Sequence, residues 1–198
     1  YSDTINLDKT TPIRAVAYKK GKPGEIVTQT YLIGREYNMA VISITGNPDD
    51  FFSFDRGIYV KGCCADSVPP YKRANFWKGW ERRINIEFYE PTGELGFNQR
   101  VGVRIFGGFS KGLPMKSLAI ISRKKYEKKT IKYPIFPNKD IKKYKSFVLR
   151  NSGSDFNNTQ FRDALLTNLI EPLDIEIQAY RPSVLFINGV YWGIHNVR

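Results

Sequence analysis

Apolar and polar residues alternate with a period of two over much of the chain, and that pattern predicts strands. In "TPIRAVAYKKGKPGEIVTQTYLIG", Ile13, Ala15 and Ala17 alternate. A turn-rich "KKGKPGE" follows, and a second run extends from Ile26 to Ile33, so two strands joined by a turn are expected. "YNMAVISITGNPDDFFS" holds a continuous apolar run, Met39 to Ile44, expected as a buried strand, after which Asn47 and Pro48 open a turn or short helix. "GIYVKG" predicts a short strand behind the turn residues Asp55 to Gly57. Ile84, Ile86 and Phe88 alternate ahead of "EPTGE", and a second run follows it, which predicts a hairpin. "MKSLAIIS" and "KSFVLRN" predict further strands, and "RPSVLFINGVYWGIHNV" predicts a hairpin turning on Asn188 and Gly189. The period changes in "NNTQFRDALLTNLI". Phe161, Leu165 and Leu169 recur every fourth residue, Asn157 or Asn158 is available as a cap, and Pro172 lies just past the end, so a helix is expected over about 158–170.

This order implies an α+β fold, mainly antiparallel sheet with hairpins and one clear helix. Two strands ahead of Gly34 to Tyr37 are too few to close a core. Residues 1–34 are therefore expected to be the end of a separate module and 37–198 a second domain. The first residues, "YSDTINLDK", have neither an initiator Met nor a signal peptide's apolar segment, and Arg198 follows directly on a strand. A piece of a longer protein is the expectation. At 198 residues the chain can bury one substantial core, and no apolar run approaches the roughly 20 residues of a membrane helix.

Charge sharpens the picture locally. The net charge is +12, and "RKKYEKKTIKYPIFPNKDIKKYK", residues 123–145, holds ten basic and two acidic residues, so eight of the twelve excess charges sit there. Such a segment is either a solvated face or an attractor for nucleic acid, an anionic cell-envelope polymer or an acidic substrate. Nucleic acid is the weakest of these, because no reader motif or regular basic helix accompanies the charge. Cys63 and Cys64 are adjacent, a spacing that disfavours a bridge between them, so dependence on a disulfide is not expected. His195 is the only histidine, which disfavours a His-rich zinc site and a Ser/His/Asp triad and leaves packing and a functional role both open. No metal site is expected.

The chemistry-bearing stretch is "GVRIFGGFSKGLPMKSLAI", residues 102–120. A strand ending at Gly107 and Gly108, a loop through Ser110 to Gly112, and Lys116 at the start of the next strand would bring backbone N–H groups and an ammonium to an anion, with Arg104 projecting from the first strand. The spacing matches neither G-x-G-x-x-G nor the Walker pattern, and hairpin geometry alone also accounts for the glycines. Asp155 in "RNSGSDFNN" suits a base, a metal ligand or an Asx cap. Arg162 and Asp163 fall in the first turn of the expected helix, where Asp163 complements the dipole. Tyr71, Trp77 and Trp80 suit sugar stacking or simple packing.

Three ordered blocks, "GVRIFGGFSKGLPMKSLAI", "FVLRNSGSDFNNTQFRDALLTNL" and "RPSVLFINGVYWGIHNVR", resemble the CotH family of atypical, kinase-like protein kinases, named for a spore-coat protein. With the stretches preceding them the resemblance covers about 37–198. A second one, of "IRAVAYKKGKPGEIVTQTYLI" to the last strands of the small immunoglobulin-like module of chitobiase and hexosaminidase chains, covers the start. The CotH resemblance implies a kinase-lobe-like fold, Mg-ATP as cofactor, phosphoryl transfer to Ser/Thr hydroxyls of a protein partner, and an extracytoplasmic bacterial setting. It assigns Lys116 and Arg104 to nucleotide phosphates and Gly107, Gly108 and Ser110 to the loop beside them. It assigns Arg150, Asn151, Asp155, Arg162 and Asp163 to holding the lobe together, with nucleotide contact from Arg150, Asp155 and Arg162, and Asn188, Gly189, Tyr191 and Gly193 to a hairpin. The family's metal-binding and catalytic carboxylates are expected beyond Arg198, so these residues alone are not expected to transfer phosphate. The rival expectation is a non-catalytic envelope or adhesion module that binds glycan or anionic polymer through 123–145 and the Trp77/Trp80 region.

Overall fold

The computed structural model describes residues 3–34, 36–173 and 175–198. Its first two strands, β1 (Thr11–Lys19) and β2 (Lys22–Tyr31), form an antiparallel hairpin that turns on Lys20 and Gly21, both at positive φ. The alternating run and the turn residues of the sequence account for it. The remaining long strands form one closed barrel. In chain order they are β3 (Ala40–Gly46), β4 (Arg82–Tyr89), β5 (Leu95–Phe106), β6 (Ser117–Ile121), β9 (Ser146–Arg150), β10 (Arg181–Ile187) and β11 (Val190–Val197). Around the barrel the order is β10-β11-β9-β6-β5-β4-β3. All pairs are antiparallel except β3 with β10, whose parallel pairing closes the ring. Closure leaves no free sheet edge. The sequence predicts the mainly antiparallel sheet and its hairpins; the long-range parallel pair that closes the sheet into a barrel has no local signal.

The core is the inside of the barrel: Ile42, Ile44, Ile86, Phe88, Val101, Val103, Leu118, Ile120, Leu149 and Leu185 are essentially inaccessible. Both ends are plugged by connections. At the end where β5 leaves and β6 enters lies the β3–β4 connection. There α1 (Pro48–Phe52) is capped by Asn47, whose Oδ1 accepts from the Asp49 N–H at 3.1 Å, and Phe51, Ile58, Ala74 and Phe76 enter the core. The expected strand in "GIYVKG" is absent. Its backbone folds back on α1 instead: the N–H groups of Gly57, Ile58 and Tyr59 donate to the carbonyls of Ser53, Asp50 and Phe51. Groups so engaged are not available to a ladder. Tyr71, Trp77 and Trp80 pack half-buried on this plug, and Trp77 Nε1 donates to the Pro70 carbonyl at 2.9 Å. Cys63 and Cys64, expected to stay apart, form a disulfide with each other in this connection.

The opposite end is covered by the basic segment. Its two short strands, β7 (Ile131–Lys132) and β8 (Lys143–Tyr144), pair with each other, and Ile131, Ile135, Phe136 and Tyr144 enter the core. Tyr133 packs on Phe88 and Phe97 with ring centroids at 5.5 and 5.7 Å and donates to Glu90 Oε1; Arg181 Nη1 donates to the Ile135 carbonyl at 2.7 Å and its guanidinium pairs with Glu90. The segment is a strap, not a loose tail.

The helix of the sequence is shorter and turned round. α2 spans Arg162–Leu169; its N-cap position is Phe161 rather than Asn157 or Asn158, and the first helical N–H, that of Arg162, is taken up by Asp155 Oδ2 at 3.0 Å. Phe161, Leu165 and Leu169, expected to be its buried face, are exposed, and Ala164 is the buried residue. The period of four is real but faces solvent, and the helix meets the barrel through the small Ala164 alone among its buried residues. The hairpin β1–β2 docks on the barrel through Glu87. This fully buried carboxylate accepts from the Thr30 N–H at 2.9 Å, from Thr30 Oγ1 and from the Tyr89 hydroxyl.

Candidate functional site

The three sequence blocks meet because β6, β9 and β11 are neighbours in the barrel. Their junction is the segment Met115 to Ser117. Asn151, fully buried at the end of β9, donates from Nδ2 to the Met115 carbonyl at 2.6 Å; its Oδ1 accepts from Ser117 Oγ at 2.8 Å and from the Gly153 N–H at 3.1 Å. From β11, His195 Nε2 lies 3.1 Å from the Lys116 carbonyl. A carbonyl only accepts, so Nε2 carries the proton. His195 is wholly inaccessible, and burial pushes its pKa down to about 4, so it is a neutral packing residue. Gly193 has φ of 92°, and a Cβ there would stand 2.8 Å from Met115 Sδ. Two blocks thus clamp the third from both sides.

What they clamp is the glycine loop. β5 ends at Phe106, Gly107 takes φ of 111°, Phe109–Gly112 forms one 3-10 turn, and Lys116 precedes β6. The Lys116 ammonium donates to the carbonyls of Lys111 at 2.6 Å and Leu113 at 2.9 Å, and lies 4.0 Å from the Phe76 ring centroid. These contacts use two of its three N–H bonds. Burial, and then the charge of Lys61, lowers its pKa to about 8. Arg104 is exposed on β5. Lys111 has its pKa lowered by burial and by the charge of Arg104, and sits 4.7 Å from the Trp77 ring centroid; Lys61 sits 3.6 Å from that of Tyr71. None of Arg104, Lys111, Lys116 and Lys61 has a carboxylate within ion-pair distance among the described residues. The cations fall in two like-charged pairs, Arg104 with Lys111 and Lys61 with Lys116, and the three lysines lie over aromatic rings. Like charges so grouped raise one another's cost, and a bound anion removes it.

The other expected site residues form a second cluster. Asp155 is almost inaccessible, accepts from Thr159 Oγ1 at 2.7 Å and pairs with Arg162 at 3.3 Å. The Thr159 hydroxyl, foremost, holds its pKa below the usual carboxylate range. Arg150 Nε donates to Asp163 Oδ2 at 3.0 Å, and Arg198 pairs with Asp163 Oδ1 at 3.0 Å. Arg150, Asp155 and Arg162 are therefore engaged in caps and ion pairs that fix α2 on the barrel. Gly107, Gly108, Ser110 and Lys116 share the loop segment, and Arg104 stands on β5 ahead of it, beside Lys111. Lys111 and Lys61 were missed in the sequence; Lys111 stands inside the glycine loop and was legible there, whereas nothing local marks Lys61.

For the cofactor set implied by the sequence, the fit is divided. The loop cations fit a phosphate. No group of three His, Cys, Asp or Glu side chains among the described residues is placed to hold a metal ion, so no metal-dependent step is derived.

Residues 103–198 match the family model described as CotH kinase protein. The match begins on β5 and contains the loop, its clamp and α2. No curated protein matches the chain. No helix among the described residues is long and apolar enough to cross a membrane.

Proposed function

We propose that this chain is the nucleotide-facing lobe of a CotH-family phosphotransferase that acts outside the cytoplasm on Ser/Thr hydroxyls of a protein partner, with ATP phosphates received at the glycine loop. The observation that carries the reading is the two cation pairs at that loop, Arg104 with Lys111 and Lys61 with Lys116, none with a carboxylate partner among the described residues. Arg104, exposed on β5, and half-buried Lys111 beside it attract and orient the phosphate chain. Lys116 offers its third N–H bond from below, already fixed by two carbonyls, so little is lost in ordering it. ATP would supply the transferable γ-phosphoryl group.

Calorimetry with ATP on the full-length protein tests this, comparing wild type with Lys116→Ala and with the double variant Arg104→Ala/Lys111→Ala. Loss of one charge-assisted contact weakens binding about tenfold or more. The double variant lies at the surface and keeps the test sound if the buried Lys116 variant fails to fold. Wild type without measurable ATP binding, or all variants with the wild-type Kd, overturns the reading.

A further inference from the structure

The strap over the other end of the barrel carries a feature that the nucleotide reading does not use. Lys132 and Lys143 stand directly opposite each other across the β7–β8 ladder, both exposed. Opposed like charges destabilise a strand pair. Lys145 follows Lys143 on the same face, with Tyr144 between them pointing into the core. Both acidic residues of the strap are engaged: Glu127 with Lys128 and Arg100, and Asp140 with Lys142. Lys124, Lys129, Lys132, Lys143 and Lys145 have no carboxylate partner among the described residues. The charges are also held in place, because Ile131, Ile135, Phe136 and Tyr144 anchor the backbone beneath them. Cations that the fold sets side by side at its own expense, on a rigid support, form a pre-organised polyanion site.

We infer that the face built by Lys132, Lys143 and Lys145 binds a linear phosphodiester polymer of the polyol-phosphate type. Cross-strand and same-face neighbours in a ladder stand about 5 and 7 Å apart, a spacing that suits successive charges of an extended phosphodiester chain. Lysines meet phosphates as point charges without demanding planar geometry. A single-stranded nucleic acid would draw much of its affinity from stacking surfaces. The aromatic residues of the strap offer little: Phe136 and Tyr144 are buried, Tyr133 is packed on Phe88 and Phe97, and half-buried Tyr126 is tied to Glu81 by its hydroxyl at 2.7 Å with the Lys125 ammonium 4.7 Å from its ring centroid. The site is independent of the nucleotide reading.

Fluorescence anisotropy with a labelled poly(glycerol phosphate) chain, single-stranded DNA of equal charge and a neutral glycan provides the test. The variants are Lys132→Gln/Lys143→Gln/Lys145→Gln and, as a control of equal charge change, Lys19→Gln/Lys20→Gln/Lys22→Gln. The strap variant is expected to bind the polyol phosphate at least tenfold more weakly and to flatten the slope of log K against log salt by about 2, and the control to bind nearly as wild type. Equal losses in both variants, or no loss in the strap variant, overturn the site. Tighter binding of DNA or of the neutral glycan overturns the ligand class. Lys143→Glu gives a readout of opposite sign. It turns the repulsive pair into an attractive one, so Tm is expected to rise by about 1–3 °C while polymer affinity falls. A fall in Tm together with unchanged affinity also overturns the proposal.

Discussion

The two ends of the barrel carry the same residue type in opposite settings. At the loop end, Lys116 is 4 % exposed, held by two carbonyls and set over Phe76, with Lys111 and Lys61 over Trp77 and Tyr71. At the strap end, the unpaired lysines stand out in solvent on a two-stranded ribbon whose other face is core. Burial at the loop end makes the ammonium responsive to pH and short in reach. Exposure at the strap end makes it responsive to salt and long in reach, since a charge in water is screened within about 10 Å at 0.1 M salt. Lysine content alone says nothing about which behaviour a region has; what packs around the ammonium decides it.

The largest expected effect breaks the loop end. Asn151→Ala removes a side chain that serves Met115, Ser117 and Gly153 at once and leaves those groups buried without partners. Stability is expected to fall by about 3–5 kcal/mol in urea denaturation. Lys143→Ala, on the strap, is expected to stay within about 0.5 kcal/mol of wild type. Equal small losses would show that the three blocks are not interlocked.

Acid separates the ends next. The His195 pKa falls from its ordinary 6.5 to about 4 in the folded chain, so between those values the unfolded chain binds more protons. Stability due to this residue is complete above about pH 6.5 and is lost as pH falls toward 4, on the order of 3 kcal/mol in all. His195→Gln is expected to remove that part of the pH slope while lowering stability near neutral pH. A variant whose slope matches wild type would assign the acid sensitivity elsewhere.

How much of this was legible in the sequence follows from the range of each interaction. Period-two alternation marks β1, β4 and β5, apolar runs between turn residues mark β2, β6 and β9, and Asn188 with Gly189, both at positive φ, mark the last hairpin. The barrel was not legible, because the pairing of β3 with β10 joins residues some 140 positions apart and leaves no local mark. α2 was placed, but its phase was inverted: Phe161, Leu165 and Leu169 look like a buried stripe and are exposed. "GIYVKG" has strand composition, yet α1 takes its backbone donors. In the candidate site, the glycines, Arg104 and Lys116 stood in one stretch and were found. Lys61 comes from a connection more than 40 residues earlier and reaches Lys116 only through the fold.

The smallest effect sharpens the comparison most, because it asks two quantities to move in opposite directions. Burial and the charge of Lys61 lower the Lys116 pKa to about 8, against an ordinary value near 10.5. Between those values the unfolded chain holds the proton and the folded chain does not, so stability rises with pH through this window as the buried charge is relieved. Phosphate needs that charge. ATP affinity is therefore expected to fall about tenfold, about 1.4 kcal/mol, from pH 7 to pH 9, while chemical denaturation shows a more stable protein. The strap is the internal control: polymer affinity, carried by solvent-exposed lysines, should change little over that range and fall instead with added salt. ATP affinity that is flat to pH 9 would mean that Lys116 keeps its proton in the complex and that Arg104 and Lys111 carry the phosphate by themselves.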